Sequence, residues 1–189
     1  MKSFVGWCFG GGLLGSVLVI TLGQDADQPT YVGLKGCVCH KLSTYGNQIG
    51  HWKEKDPHAK AYELLKGEKS KEVAGKIGIA DPLKDGRCLR CHATAFVAPE
   101  AQRANLAMED GVSCEGCHGP GSKYHNKQVM SDRKLAVANG LIPLKESDAR
   151  TKLCSGCHNE KDVPEAFYKE RDFDKDWAPL NHPLAKPAK

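Results

Sequence analysis

Residues 111–121 read Gly111-Val112-Ser113-Cys114-Glu115-Gly116-Cys117-His118-Gly119-Pro120-Gly121, and the run from Cys114 to His118 decides the fold. Two thiols three positions apart on a helical turn reach the two vinyl groups of a haem, and the next residue projects its imidazole at the iron. The pattern C-x-x-C-H occurs twice more, as Cys88-Leu89-Arg90-Cys91-His92 and Cys154-Ser155-Gly156-Cys157-His158. Zinc knuckles and redox dithiols also use C-x-x-C, but neither requires a histidine immediately afterwards each time. With 8 histidines in 189 residues, three chance placements would be a roughly 10⁻⁴ event, which selects covalently bound c-type haem. Pro120 stops the helical turn, and the flanking glycines allow the backbone to approach a porphyrin closely.

A fourth cluster, Gly36-Cys37-Val38-Cys39-His40, is one residue short. Cys39 and His40 keep the second thiol and the proximal ligand in register, whereas Cys37 is displaced. The sequence leaves open whether Cys37 is attached under strain, is free, or belongs to no haem site at all. Histidine use favours four haems. His40, His92, His118 and His158 are proximal candidates, and the remaining four are His51, His58, His125 and His182. Four irons with two imidazoles each would use the whole set as axial ligands.

Composition agrees with a cofactor-filled interior. Hydrophobic residues make up 40% and aromatic residues 7% of the chain, which is thin for a core built from side chains alone. The segment 1–23 carries one charge, Lys2, before an apolar run from Phe4 to Leu22. It reads as a secretory signal, with a retained anchor as the alternative because the run approaches a bilayer-spanning length. Residues 24–189 then form one tetrahaem domain in the periplasm or outside the cell, touching a membrane only if the leader is kept. Cys8 lies inside the leader and is read as silent. The formal charge of +4 does not argue for nucleic acid, because haem propionates offset it and no basic run interleaves with aromatics.

The expected fold class is mainly α, with short helices and loops wrapped around stacked haems. Asp56-Pro57 reads as cap and first residue of a helix reaching Leu65, with His58, Tyr62 and Leu65 on one face. Further helices are expected from about Ser70 to Ile77, from a Ser131 cap to Gly140, and from Ser147 into Cys154. The Pro- and Lys-rich tail beyond Asp172 reads as extended.

These residues resemble the tetrahaem "five-five-four" cytochrome c family, typified by the carrier that accepts electrons from hydroxylamine oxidoreductase in ammonia-oxidising bacteria. The resemblance is carried by Tyr31-Val32-Gly33, by Trp52-Lys53 with His58-Ala59-Lys60-Ala61, and most specifically by residues 111–121. It extends from Tyr31 to His158. It implies a helical fold with haem planes stacked in close pairs. It also implies that His58 serves the haem at Cys154/Cys157, that His125 serves the haem at Cys37/Cys39, and that His182 serves the haem at Cys114/Cys117. In that family the second haem in sequence lacks a distal ligand; here His51 is available for the haem at Cys88/Cys91. The function expected is electron transfer with redox partner proteins, not catalysis. Two alternatives stand beside it. One is a small multihaem reductase of nitrogen oxides with a five-coordinate haem at Cys88/Cys91. The other is a filament subunit that self-associates through haem stacking.

Overall fold

The computed structural model describes residues 28–165 and 167–183. The leader, with its signal or anchor and Cys8, lies outside the described residues. Among the described residues there are helices, turns and bends but no strand, as the motif spacing predicts. Eleven α-helical segments follow in order: α1 (Gly33–Gly36), α2 (Gln48–Lys55), α3 (Ala61–Leu64), α4 (Glu68–Lys76), α5 (Gly86–His92), α6 (Thr94–Val97), α7 (Cys114–His118), α8 (Lys127–Ser131), α9 (Arg133–Ala138), α10 (Ser147–Cys154) and α11 (Phe173–Leu180). Short 3₁₀ turns connect several of them, notably Val38–Lys41 and Pro57–Lys60. None of the helices is long and apolar enough to cross a membrane.

Local chemistry sets most helix starts. Asp56 caps the turn beginning at Pro57, accepting from His58 N at 2.9 Å, as N-cap carboxylates do. The segment is a 3₁₀ turn that passes into α3 rather than one continuous helix. α4 begins at Glu68, two residues before the expected Ser70. The third expected cap is corrected: Ser131 ends α8, and Asp132 caps α9 by accepting from Lys134 N and Leu135 N. The chain then leaves α9 through Gly140 at φ +101°.

The tail is also corrected. Over residues 173–180 it is helical, not extended: Asp172 caps α11 through Lys175 N, and Pro179 falls in the last turn of that helix. There it removes the hydrogen bond to Lys175 O and its ring crowds that carbonyl, a cost that the docking of α11 must offset. α11 packs on α10 and α2. Asp174 holds it there by pairing with Arg150 and Ser147, and the Arg150 guanidinium lies 5.7 Å from the Trp177 ring centroid. This docking returns the chain to the motif helices and delivers His182.

The protein's own core is slight. The buried apolar residues are Ile49, Trp52, Leu65, Ile79, Leu89, Tyr124 and Leu144 with six alanines, and no large side chain is below 2% exposure among the described residues. Val38, Leu42, Phe96 and Val97 remain exposed beside the first two Cys/His clusters.

Candidate haem sites

Two of the three regular motifs sit on unbroken helices. α5 carries Cys88, Cys91 and His92, and α7 carries Cys114, Cys117 and His118. In the third, α10 ends at Cys154, but His158 N still donates to Cys154 O at 2.9 Å, so the helical step continues to the histidine. The irregular cluster sits on the 3₁₀ turn Val38–Lys41.

Several imidazoles are held by a partner on one ring nitrogen. His92 Nδ1 lies 2.7 Å from Ala61 O, and His40 Nδ1 lies 2.9 Å from Gln48 Oε1. Gln48 is itself buried, donating to Tyr45 O and to Pro183 O. His58 Nδ1 lies 2.8 Å from Asp56 Oδ1, and His125 Nδ1 lies 3.0 Å from Ser122 O. A partner on Nδ1 fixes the ring and leaves Nε2 for a metal, as second-sphere partners of ligating histidines do.

The geometry brings histidines together in facing pairs. His58 and His158 have ring centroids 6.0 Å apart with planes at 79°. His118 and His182 are likewise 6.0 Å apart, at 51°. Metal–imidazole bonds of about 2.0–2.1 Å on either side place two ring centroids about 6 Å apart, so both pairs have the spacing of two axial ligands on one iron. The buried Nδ1 atoms of His118 and His182 and Nε2 of His51 have no hydrogen-bond partner, unlike the Nδ1 atoms of His40, His58, His92 and His125. Burial, reinforced by His182, His40 and Arg133, pushes His118 down to about 4. Burial likewise lowers His158 and His182. All three imidazoles are therefore neutral near pH 7, the form that binds metal. No cluster of three or more His, Cys, Asp or Glu converges as a metal cage among the described residues. The donors lie in pairs, which fits haem.

His51 is half-buried on α2. It lines a cavity of about 720 Å³ together with His182, Lys55, Lys145, Arg150 and Trp177. It also acts electrostatically on His182.

The motif cysteines meet across motifs. The Cys91 and Cys157 thiols act on each other, which holds Cys91 low and Cys157 high, and Arg90 pairs with Asp162 alongside. Burial raises the Cys114 thiol and Cys37 is the largest charge influence on it, while Cys154 acts on Cys117 after burial and Asp56. These influences link Cys91 with Cys157, Cys154 with Cys117 and Cys114 with Cys37.

A family described as cytochrome c554 and c-prime matches residues 37–119, a span holding the irregular cluster and two regular motifs. Cytochrome c-554 of Nitrosomonas europaea (strain ATCC 19718 / CIP 103999 / KCTC 2705 / NBRC 14298) is 32% identical over 167 residues, covering 78% of this chain. The chain belongs to the cytochrome c554 family. It spans 66% of that relative's length. No solved structure matches it. Membership makes it a c-type cytochrome.

Two kinds of residue escaped the sequence reading. One is Gln48, eight positions beyond His40 with no motif to flag it. The other is Glu115, inside the C-x-x-C-H motif at a position the motif leaves free. Its carboxylate is 5% exposed and accepts from Val32 N at 2.9 Å, Gly33 N at 2.7 Å and Gly121 N at 2.7 Å. A Cβ at Gly121 would come within 3.0 Å of Glu115 Oε1. That glycine therefore makes room for a carboxylate, where the sequence suggested a porphyrin.

The His58 geometry gives a first expected result. His58→Ala should convert one haem from low to high spin and leave the rest unaltered, with little loss of stability because His58 is only half-buried. Electron paramagnetic resonance of the ferric protein reads this directly; an unchanged spectrum would place His58 off the iron.

Proposed function

We propose that this chain is an exported tetrahaem electron carrier that exchanges electrons with redox partner proteins. The observation that carries the reading is the pair of histidine couples, His58/His158 and His118/His182, each spaced for one iron. Haems would be attached at Cys88/Cys91, Cys114/Cys117, Cys154/Cys157 and at the Cys37/Cys39 cluster, with His92, His118, His158 and His40 as proximal ligands. Bound haem supplies one-electron chemistry at iron, and an iron ligated by two imidazoles keeps no open position for substrate. His125, with Nδ1 turned to backbone carbonyls, is the distal candidate for the iron at His40. The links between motif cysteines support a path that runs from the haem at Cys88/Cys91 through Cys154/Cys157 and Cys114/Cys117 to the Cys37/Cys39 cluster. The exposed Val38, Leu42, Phe96 and Val97 would be covered by porphyrin.

The intact mass of exported protein should exceed that of the polypeptide by four haems. A gain of three would remove the irregular cluster from the count, and a gain of none would end the reading.

One observation favours a second reading, in which the haem at Cys88/Cys91 is five-coordinate and able to take a small nitrogen oxide. His51 sits on the cavity wall with His182, and the facing ring pairs do not include His92. Ferric wild type should then show a high-spin signal of about one haem that His51→Ala leaves unchanged. A wholly low-spin wild type that gains high-spin signal on His51→Ala would instead make His51 a ligand and all four irons saturated.

A further inference from the structure

The irregular cluster differs from the regular ones in its turn as well as its length. In a regular motif the two cysteines are three residues apart on an α-helix, so they point about 60° apart around the axis and rise about 4.5 Å along it. His158 N reaching back to Cys154 O shows that four-residue step. At the irregular cluster, His40 N donates to Cys37 O at 3.0 Å, a three-residue step. The chain also breaks between α1 and the 3₁₀ turn, with Cys37 at φ −94°, ψ +35°. On a 3₁₀ turn two residues rise about 4 Å but point about 120° apart. The reach along the axis is nearly the same; the direction is lost.

The surroundings of the two thiols follow that divergence. Cys37 closes α1, which packs on α7. It lies within electrostatic reach of Glu115, Cys114 and Tyr124. Glu115 pins the other end of this four-residue helix, its start, through Val32 N and Gly33 N. Cys39 is the exposed cysteine among those described, on the same turn as His40, whose ring Gln48 holds.

We infer that the haem at His40 is attached by a single thioether, from Cys39, and that Cys37 keeps its thiol against the α1–α7 contact. The inference rests on the proposed haem at this cluster. In the attachment, the Cys39 sulfur bonds to the vinyl carbon next to the porphyrin and the hydrogen goes to the terminal carbon. No electron is gained or lost, and no atom leaves. The other vinyl stays unsaturated.

Intact mass cannot distinguish one thioether from two, so the test reads the peptide. Holoprotein is denatured, reduced, alkylated with iodoacetamide and cut with trypsin. The peptide Gly36–Lys41 is expected to carry one haem and one carbamidomethyl group, on Cys37; reading at this peptide keeps Cys8 out of the count. The pyridine haemochrome should show one haem in four with a red-shifted α band, from its remaining vinyl conjugation. Cys37→Ser should retain four haems, and Cys39→Ser should lose one. A haem peptide that takes no alkyl group, or loss of a haem in Cys37→Ser, would overturn the single thioether while leaving four haems in place. A peptide with two alkyl groups and no haem would overturn both the inference and the four-haem reading.

Discussion

Made in the cytoplasm without haem attachment, the chain should show no cooperative thermal transition and only weak helical circular dichroism. The longest helix among the described residues has nine residues, and isolated helices below about 12–15 residues are marginal in water. Tertiary burial must therefore stabilise them, yet six of the thirteen buried apolar residues are alanines. Each alanine contributes far less than the roughly 1.5–3 kcal/mol of a buried leucine or phenylalanine. What remains is thin apolar cover against the conformational entropy that folding must offset. Porphyrin would supply the missing apolar surface, and axial ligation would tie α5, α7, the end of α10 and the residues after α11 into one unit, so that folding and cofactor binding are coupled. A sharp, reversible melt of the apoprotein would refute this.

What the sequence makes legible is what is local. The C-x-x-C-H spacing needs only a helical turn, and two of the three regular motifs lie on continuous helices. Asp56-Pro57 caps a turn because the capping atoms lie within two residues of each other. Errors arise where a local rule meets a competing neighbour. Ser131 is a good cap residue, but Asp132 beside it offers a carboxylate that takes two N–H groups. Proline in the tail argued for extension, yet Pro179 falls within α11, where it gives up one helical hydrogen bond while Arg150 and Trp177 anchor the helix. Asn47 starts α2 from the left-handed region, at φ +49°, a start that hydrophobic periodicity does not signal. The long-range partners were out of reach: Glu115 meets α1 across some eighty residues, and Gln48 meets Pro183 O across 135.

Replacing Glu115 by glutamine should destabilise the holoprotein by about 3 kcal/mol, and replacing it by alanine by more. The wild-type carboxylate offers Oε1 to Val32 N and Gly121 N and Oε2 to Gly33 N. A glutamine that keeps its carbonyl oxygen at Oε1 preserves two acceptor bonds without their charge. It then turns an NH₂ donor towards the Gly33 N–H, where two donors face each other. Hydrogen bonds to a charged group are worth about 1.5–3 kcal/mol, and a buried N–H left unmet costs about 1–3 kcal/mol. An opposing effect is the cheaper desolvation of a neutral amide, which keeps the glutamine change below that of alanine, where three N–H groups lose their acceptor at once. The consequence reaches the haems, because Glu115 ties α1, leading into Cys37 and His40, to α7 with Cys114 and His118. Loosening that tie should let the first cluster move relative to the third. Denaturant unfolding followed at the haem bands gives the stability change. Amide exchange at Val32, Gly33 and Gly121 locates it: faster exchange at all three is expected in Glu115→Ala, and at Gly33 above the others in Glu115→Gln. A glutamine variant within about 0.5 kcal/mol of wild type, the range of ordinary surface substitutions, would show that the carboxylate does not hold the two helices together.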